Sequence, residues 1–130
     1  MKKGYVANIE KVTTENTDYR RVLYTGEHSQ LVVMNLEPGV EIGEEVHTLD
    51  QFIRIEAGKC KAILNDSDVY ELEDDWAVIV PAGTKHNFIN TSDEPCKLYS
   101  IYSPAEHKEG LVQATKADDA EVHFDGVTTE

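Results

Sequence analysis

A chain of 130 residues, 40% of them hydrophobic, can bury one core and is too short for two domains. Its formal net charge of -13 argues against nucleic acid as a partner, because a phosphate backbone would be repelled across most of the surface. No apolar run approaches the roughly 18 to 20 residues of a transmembrane helix, and the lysine-containing start has no apolar stretch behind it, so no membrane or secretory signal is expected and the cytoplasm is.

In chain order, Ala7 to Val12 reads as a short edge strand and Thr13 to Asp18 as a polar loop. Tyr19 to Thr25 alternates as a strand does, and Gln30 to Glu37 is more apolar and should lie deeper, ending at the Pro38-Gly39 turn. Strands follow near Glu44 to Leu49 and Gln51 to Glu56, with Gly58 closing the second. Lys59 to Asn65 and Val69 to Glu73 flank a polar hairpin turn. Trp76 to Val80 is a continuous apolar run, read as a buried strand; Pro81-Ala82-Gly83 breaks it, and His86 to Asn90 and Cys96 to Ser103 complete the set. This spacing predicts an all-β antiparallel sandwich or barrel. Residues 1–113 form the expected domain. Residues 114–130, acidic and without lysine or arginine from Asp118 onward, read as a mobile tail, with at most one short helical turn after Pro104. Cys60 and Cys96 lie in strand-like segments and read as buried free thiols.

The chemistry is concentrated in two stretches. Glu45, His47 and Gln51 sit at even spacings, so on adjoining strands all three side chains point to one face, and His86 follows a Pro-Ala-Gly turn further on. A lone histidine on a strand is most often a satisfied polar group. Two imidazoles, a carboxylate and an amide oxygen instead make a set suited to a divalent metal such as manganese, iron, nickel or zinc. Glu44 points away from His47, Glu41 is too far along the chain, and His28, His107 and His123 read as surface residues of loops or tail.

From Leu31 to Tyr102 the chain resembles the cupin superfamily, double-stranded β-helix (jelly-roll-like) barrels that hold a metal in the barrel mouth. The family's first motif corresponds to Gly39, Glu45, His47, Gln51 and Gly58, and its second to Asp75, Pro81, Gly83, His86 and Asn90. Three positions depart from the pattern. Glu45 stands where a histidine is usual, Gln51 where a glutamate is usual, and Asp75 replaces a glycine, a place where an aspartate also tolerates a turn. The exchange leaves the formal charge of the site unchanged. The resemblance implies metal ligands at Glu45, His47, Gln51 and His86, and a homodimer that would cover the edges of a small barrel. The chain also looks like small cupins labelled after mannose-6-phosphate isomerases, although a shared fold does not transmit function. A phosphosugar would need a cationic clamp, and only Arg54 and Lys85 lie near the motifs; Arg54 faces away from Gln51 and suits an ion pair.

Two functions are compatible with these residues. One is a metal-dependent enzyme acting on a small sugar-like or carbonyl substrate by isomerisation or oxygenation, with Tyr102, near the end of the last strand, as the candidate substrate contact. The other is a non-catalytic module that binds or senses a small molecule, favoured by the lack of a general base apart from the ligands. The remaining aromatics, Trp76, Phe52 and Phe88 among them, are expected first of all in the core.

Overall fold

A computed structural model describes residues 3–120 and 122–130. It opens on helix α1 (Ile9–Glu15), where the sequence suggested an edge strand and a loop. The reason is local. Asn8 caps the helix, its side chain accepting from the Lys11 backbone N–H, and Thr13 is the residue that the helix buries.

Among the described residues nine strands follow: β1 (Arg20–Thr25), β2 (Gln30–Leu36), β3 (Asp50–Ala57), β4 (Lys59–Leu64), β5 (Asp68–Glu73), β6 (Ala77–Val80), β7 (His86–Ile89), β8 (Cys96–Ser103) and β9 (Val112–Gln113). They form two antiparallel sheets, one of six strands in the order β6-β3-β8-β2-β1-β9 and one of three in the order β5-β4-β7. The all-β barrel is thus observed. Alternate residues of the two sheets face each other and fill the interior with Val32, Met34, Leu36, Ile53, Ile55, Leu98, Ala62, Leu72 and Phe88. Both cysteines are buried free thiols, as expected.

Turn chemistry closes the hairpins where the sequence placed them. Asn65 and Asp66 take positive φ between β4 and β5, and Asp75 does so at +75°, so the aspartate does adopt the turn that a glycine would serve. Gly58 is required for a second reason: at φ +82° a Cβ there would lie 2.3 Å from the Pro95 carbonyl oxygen.

Three further expectations change. The stretch Glu44 to Leu49 is not a strand; isolated bridges Glu41–Ile89 and Glu45–His86 lay it along β7 instead. Trp76 to Val80 is not buried. β6 ends the six-stranded sheet and pairs only with β3, which leaves Trp76 51% and Ile79 66% exposed while Val80 alone turns fully inward. The acidic stretch from 114 onward is anchored in its described residues. A 3-10 turn covers Lys116–Asp118, Phe124 N–H donates to the Glu106 carbonyl, and Thr129 N–H donates to the Thr25 carbonyl. Backbone hydrogen bonding and the pairing of Arg20 with Asp119 hold this stretch across the barrel mouth. Among the described residues no helix is long and apolar enough to cross a membrane.

Candidate metal centre

Backbone geometry brings the two motifs together. Glu45 and His86 exchange both backbone hydrogen bonds, each 2.9 Å, so they oppose each other directly and their side chains emerge on one face. The His47 carbonyl accepts from Gly83 N–H at 2.8 Å, tying the first motif to the Pro81-Gly83 turn that precedes His86. Glu45, His47 and His86 each offer a ligand atom, and these atoms lie within 4.8 Å of one another. This cluster can hold a metal ion.

The donor nitrogens are oriented for that purpose. His86 Nδ1 meets the Thr84 carbonyl oxygen at 2.9 Å, which makes Nδ1 the protonated nitrogen and leaves the Nε2 lone pair free. His47 Nε2 faces Glu45 Oε2 at 3.7 Å, while its Nδ1 faces Glu106 Oε2 at 3.6 Å. Burial lowers the pKa of His47 against the opposing pull of Glu106, so the imidazole stays neutral and able to ligate. Burial raises the pKa of Glu45, offset in part by Arg20 and His86. A half-buried carboxylate beside two imidazoles is favoured by a cation.

Gln51 is linked to this trio through Tyr102, which packs against His47. Its Nε2 donates to Ser100 Oγ and to the Tyr102 hydroxyl, both at 3.2 Å, and its Oε1 is buried with no hydrogen-bond partner among the described residues. An orphaned carbonyl oxygen is what a cation would satisfy. Tyr102 is buried behind the cluster, its ring edge-on to His47 with centroids 6.0 Å apart and to His107 at 5.0 Å. The second motif's Asn90 is structural: fully buried, it donates to the Leu36 and Glu94 carbonyls.

Residues missed by the sequence reading stand around this centre. A cavity of about 220 Å³ beside Glu45 is lined by Arg20, Glu106, His107, Asp119 and His123 among others. His107 was expected at the surface and is 7% exposed, because Gln30, itself buried, binds its backbone N–H and carbonyl and holds the segment inside. Burial pushes its pKa down to about 3, so the ring is neutral. His28 and His123 are exposed, as expected. Arg54 pairs with Glu56 and Asp75, each at 2.8 Å, and Lys85 with Glu44 and Asp66, so neither reaches the centre. The signal for Arg20 was available: it sits in the inward register of β1, two residues before Val22, where an apolar side chain is the ordinary choice.

Comparison with known proteins agrees with this architecture. Residues 32–102 match the family model described as Cupin domain, more than half of the chain. The chain is 48% identical over 125 residues to the uncharacterized protein YrkC of Bacillus subtilis, covering 89% of this chain and 66% of that protein, just under two thirds of its length. It is 41% identical over 116 residues to the uncharacterized protein L612 of Acanthamoeba polyphaga mimivirus, covering 86% and 72%. Among solved structures, BH2720 of Bacillus halodurans superposes with a TM-score of 0.87 at 43% identity, over 89% of this chain and 92% of that one. A double-stranded β-helix protein of Klebsiella pneumoniae, 19% identical, shares the fold with a TM-score of 0.67 over 87% and 100% of the two chains. With the second motif nearly whole, the first carrying its donors in altered form, and more than half of the chain matched, the protein belongs to the cupin family.

Proposed function

We propose that the barrel mouth is a mononuclear divalent-metal centre held by Glu45, His47 and His86, with Gln51 Oε1 as a fourth donor, and that it serves an enzyme acting on a small sugar-like or carbonyl substrate by isomerisation or oxygenation. The observation that carries this reading is the convergence of three ligand atoms within 4.8 Å, with a hydrogen-bonded Nδ1 on His86. Two imidazoles, a carboxylate and an amide oxygen suit manganese, iron, nickel or zinc. Such an ion would polarise a substrate oxygen.

The chain's own residues account for the rest. Glu106 stands at the cavity wall 3.6 Å from His47 Nδ1, outside the ligand set, where its carboxylate can accept a proton from a bound molecule. In this reading Glu106 is the candidate base, a role for which the motifs themselves offer no residue apart from the ligands. Elemental analysis of protein purified without a histidine tag is expected to find about one divalent ion per chain, and His86→Ala is expected to remove it while the circular dichroism of the barrel is retained. An unchanged metal content in the variant would refute His86 as a ligand. Turnover on sugars, uronates and diketones then tests catalysis, and background rates by metal-loaded protein would leave a binding module as the function.

A further inference from the structure

We infer that the cavity beside Glu45 is a binding site for a small monocarboxylate, and that Arg20 is the residue that recognises it; this rests on the metal-centre reading above for its neighbour but not for its own chemistry. Arg20 is 4% exposed, inside a barrel. Both of its hydrogen bonds within the described residues leave from Nη1, to Gln113 Oε1 at 2.7 Å and to Asp119 Oδ1 at 2.8 Å. Its Nε is buried and unpartnered. Thus one edge of the guanidinium is fixed by the protein and the Nε edge is left without an acceptor. A buried donor without a partner is destabilising, and this edge has the fork geometry that a carboxylate meets with two parallel hydrogen bonds.

The surroundings fit the same ligand. His107, also on the cavity wall, has a buried Nε2 with no partner and a neutral ring, so it can hydrogen-bond a second polar group of the bound molecule. Asp119, the carboxylate paired with Arg20 at 2.8 Å, does not hold the guanidinium alone. Asp119 is shared with Lys116 at 3.0 Å, Glu106 is engaged by His47 and His123, and Glu44 by Lys85. One free guanidinium edge suits one carboxylate group. A volume of about 220 Å³ holds roughly seven waters at about 30 Å³ each, the room needed by an acid of three to five carbons.

The test is calorimetric titration of the manganese-loaded protein with pyruvate and with its neutral analogue pyruvamide. Pyruvate should bind at least tenfold more tightly, and Arg20→Met should lose that preference, with Arg20→Lys intermediate. Metal affinity, measured on the same samples by chelator competition, should be equal or tighter in Arg20→Met, because a positive charge near Glu45 is removed. Equal binding of pyruvate and pyruvamide by the parent protein, or an unchanged preference in Arg20→Met, would overturn the assignment. Equal binding by the parent overturns the assignment without any variant, whereas a preference is assigned to Arg20 only through its loss in Arg20→Met or, if that variant does not fold, its weakening in Arg20→Lys, because manganese itself favours a carboxylate. If the parent takes up no metal, the metal reading fails separately, and the metal-free protein then decides the arginine site: a preference for pyruvate that Arg20→Met abolishes upholds it, and no preference overturns it.

Discussion

The two ends of the barrel are built on the same strands and differ in everything else. β3 turns Gln51, Ile53 and Ile55 inward in succession, and β8 turns Leu98, Ser100 and Tyr102 inward, so each strand runs from an apolar end to a polar one. At the apolar end the core is closed by aliphatic side chains and by Asn90, whose amide group is satisfied by the Leu36 and Glu94 carbonyls. At the mouth Gln51, His107 and Arg20 each keep a buried polar atom without a partner. Packing there gives up stability that the apolar half retains, the usual mark of a site arranged for something other than folding.

Substitutions at the two ends should therefore be read by different instruments. The largest effect is expected at the apolar end: Leu98→Ala, at a fully buried position, should cost about 2 to 5 kcal/mol in urea unfolding and alter metal affinity little. At the mouth the order reverses. Glu45→Gln removes the only formal negative charge of the ligand set and should weaken metal binding by at least about tenfold to a hundredfold in chelator competition, whereas Gln51→Ala, which removes a neutral donor that water can replace, should cost less. Restoring the common family pattern with Glu45→His plus Gln51→Glu should return affinity to that of the parent. Equal losses in the two single variants would break the distinction between these positions.

A further effect separates the ends by pH. His107 is neutral in the folded chain down to about 3, against an ordinary value of 6.5 in the unfolded one. Between these values the unfolded state binds more protons, so the contribution of this residue is fully present above about 6.5 and is lost as pH falls, by up to about 1.4 kcal/mol per pH unit. His107→Gln should flatten the stability curve of the metal-free protein across that window by this amount. No such change is expected from Leu98→Ala, whose loss should be nearly independent of pH. The smallest effect belongs to the outer face: Ile79→Thr, at a 66% exposed position, should stay within about 0.5 kcal/mol. A loss of several kcal/mol there would mean that the edge strand is covered in solution.

What the sequence determined by itself was whatever a strand carries locally. Alternation marked β1 to β5, β7 and β8 to within a residue or two, the turns at Asn65 and Asp75 were legible from residues that tolerate positive φ, and His47 and His86 were marked by their spacing from Gly58, Pro81 and Gly83. The short run at Asn8 was misread because one capping side chain, not periodicity, decided for a helix. Trp76 to Val80 was misread because an apolar run does not reveal whether its strand has a neighbour on both sides, and β6 has only β3. Only the tertiary structure could place Arg20 beside His107 and Asp119. That proximity follows from β9 pairing with β1, Arg20 opposite Gln113, and from Gln30 holding the segment at His107. Contacts between residues more than 80 positions apart are set by sheet order, and the pattern of one strand carries no record of which strand will lie beside it.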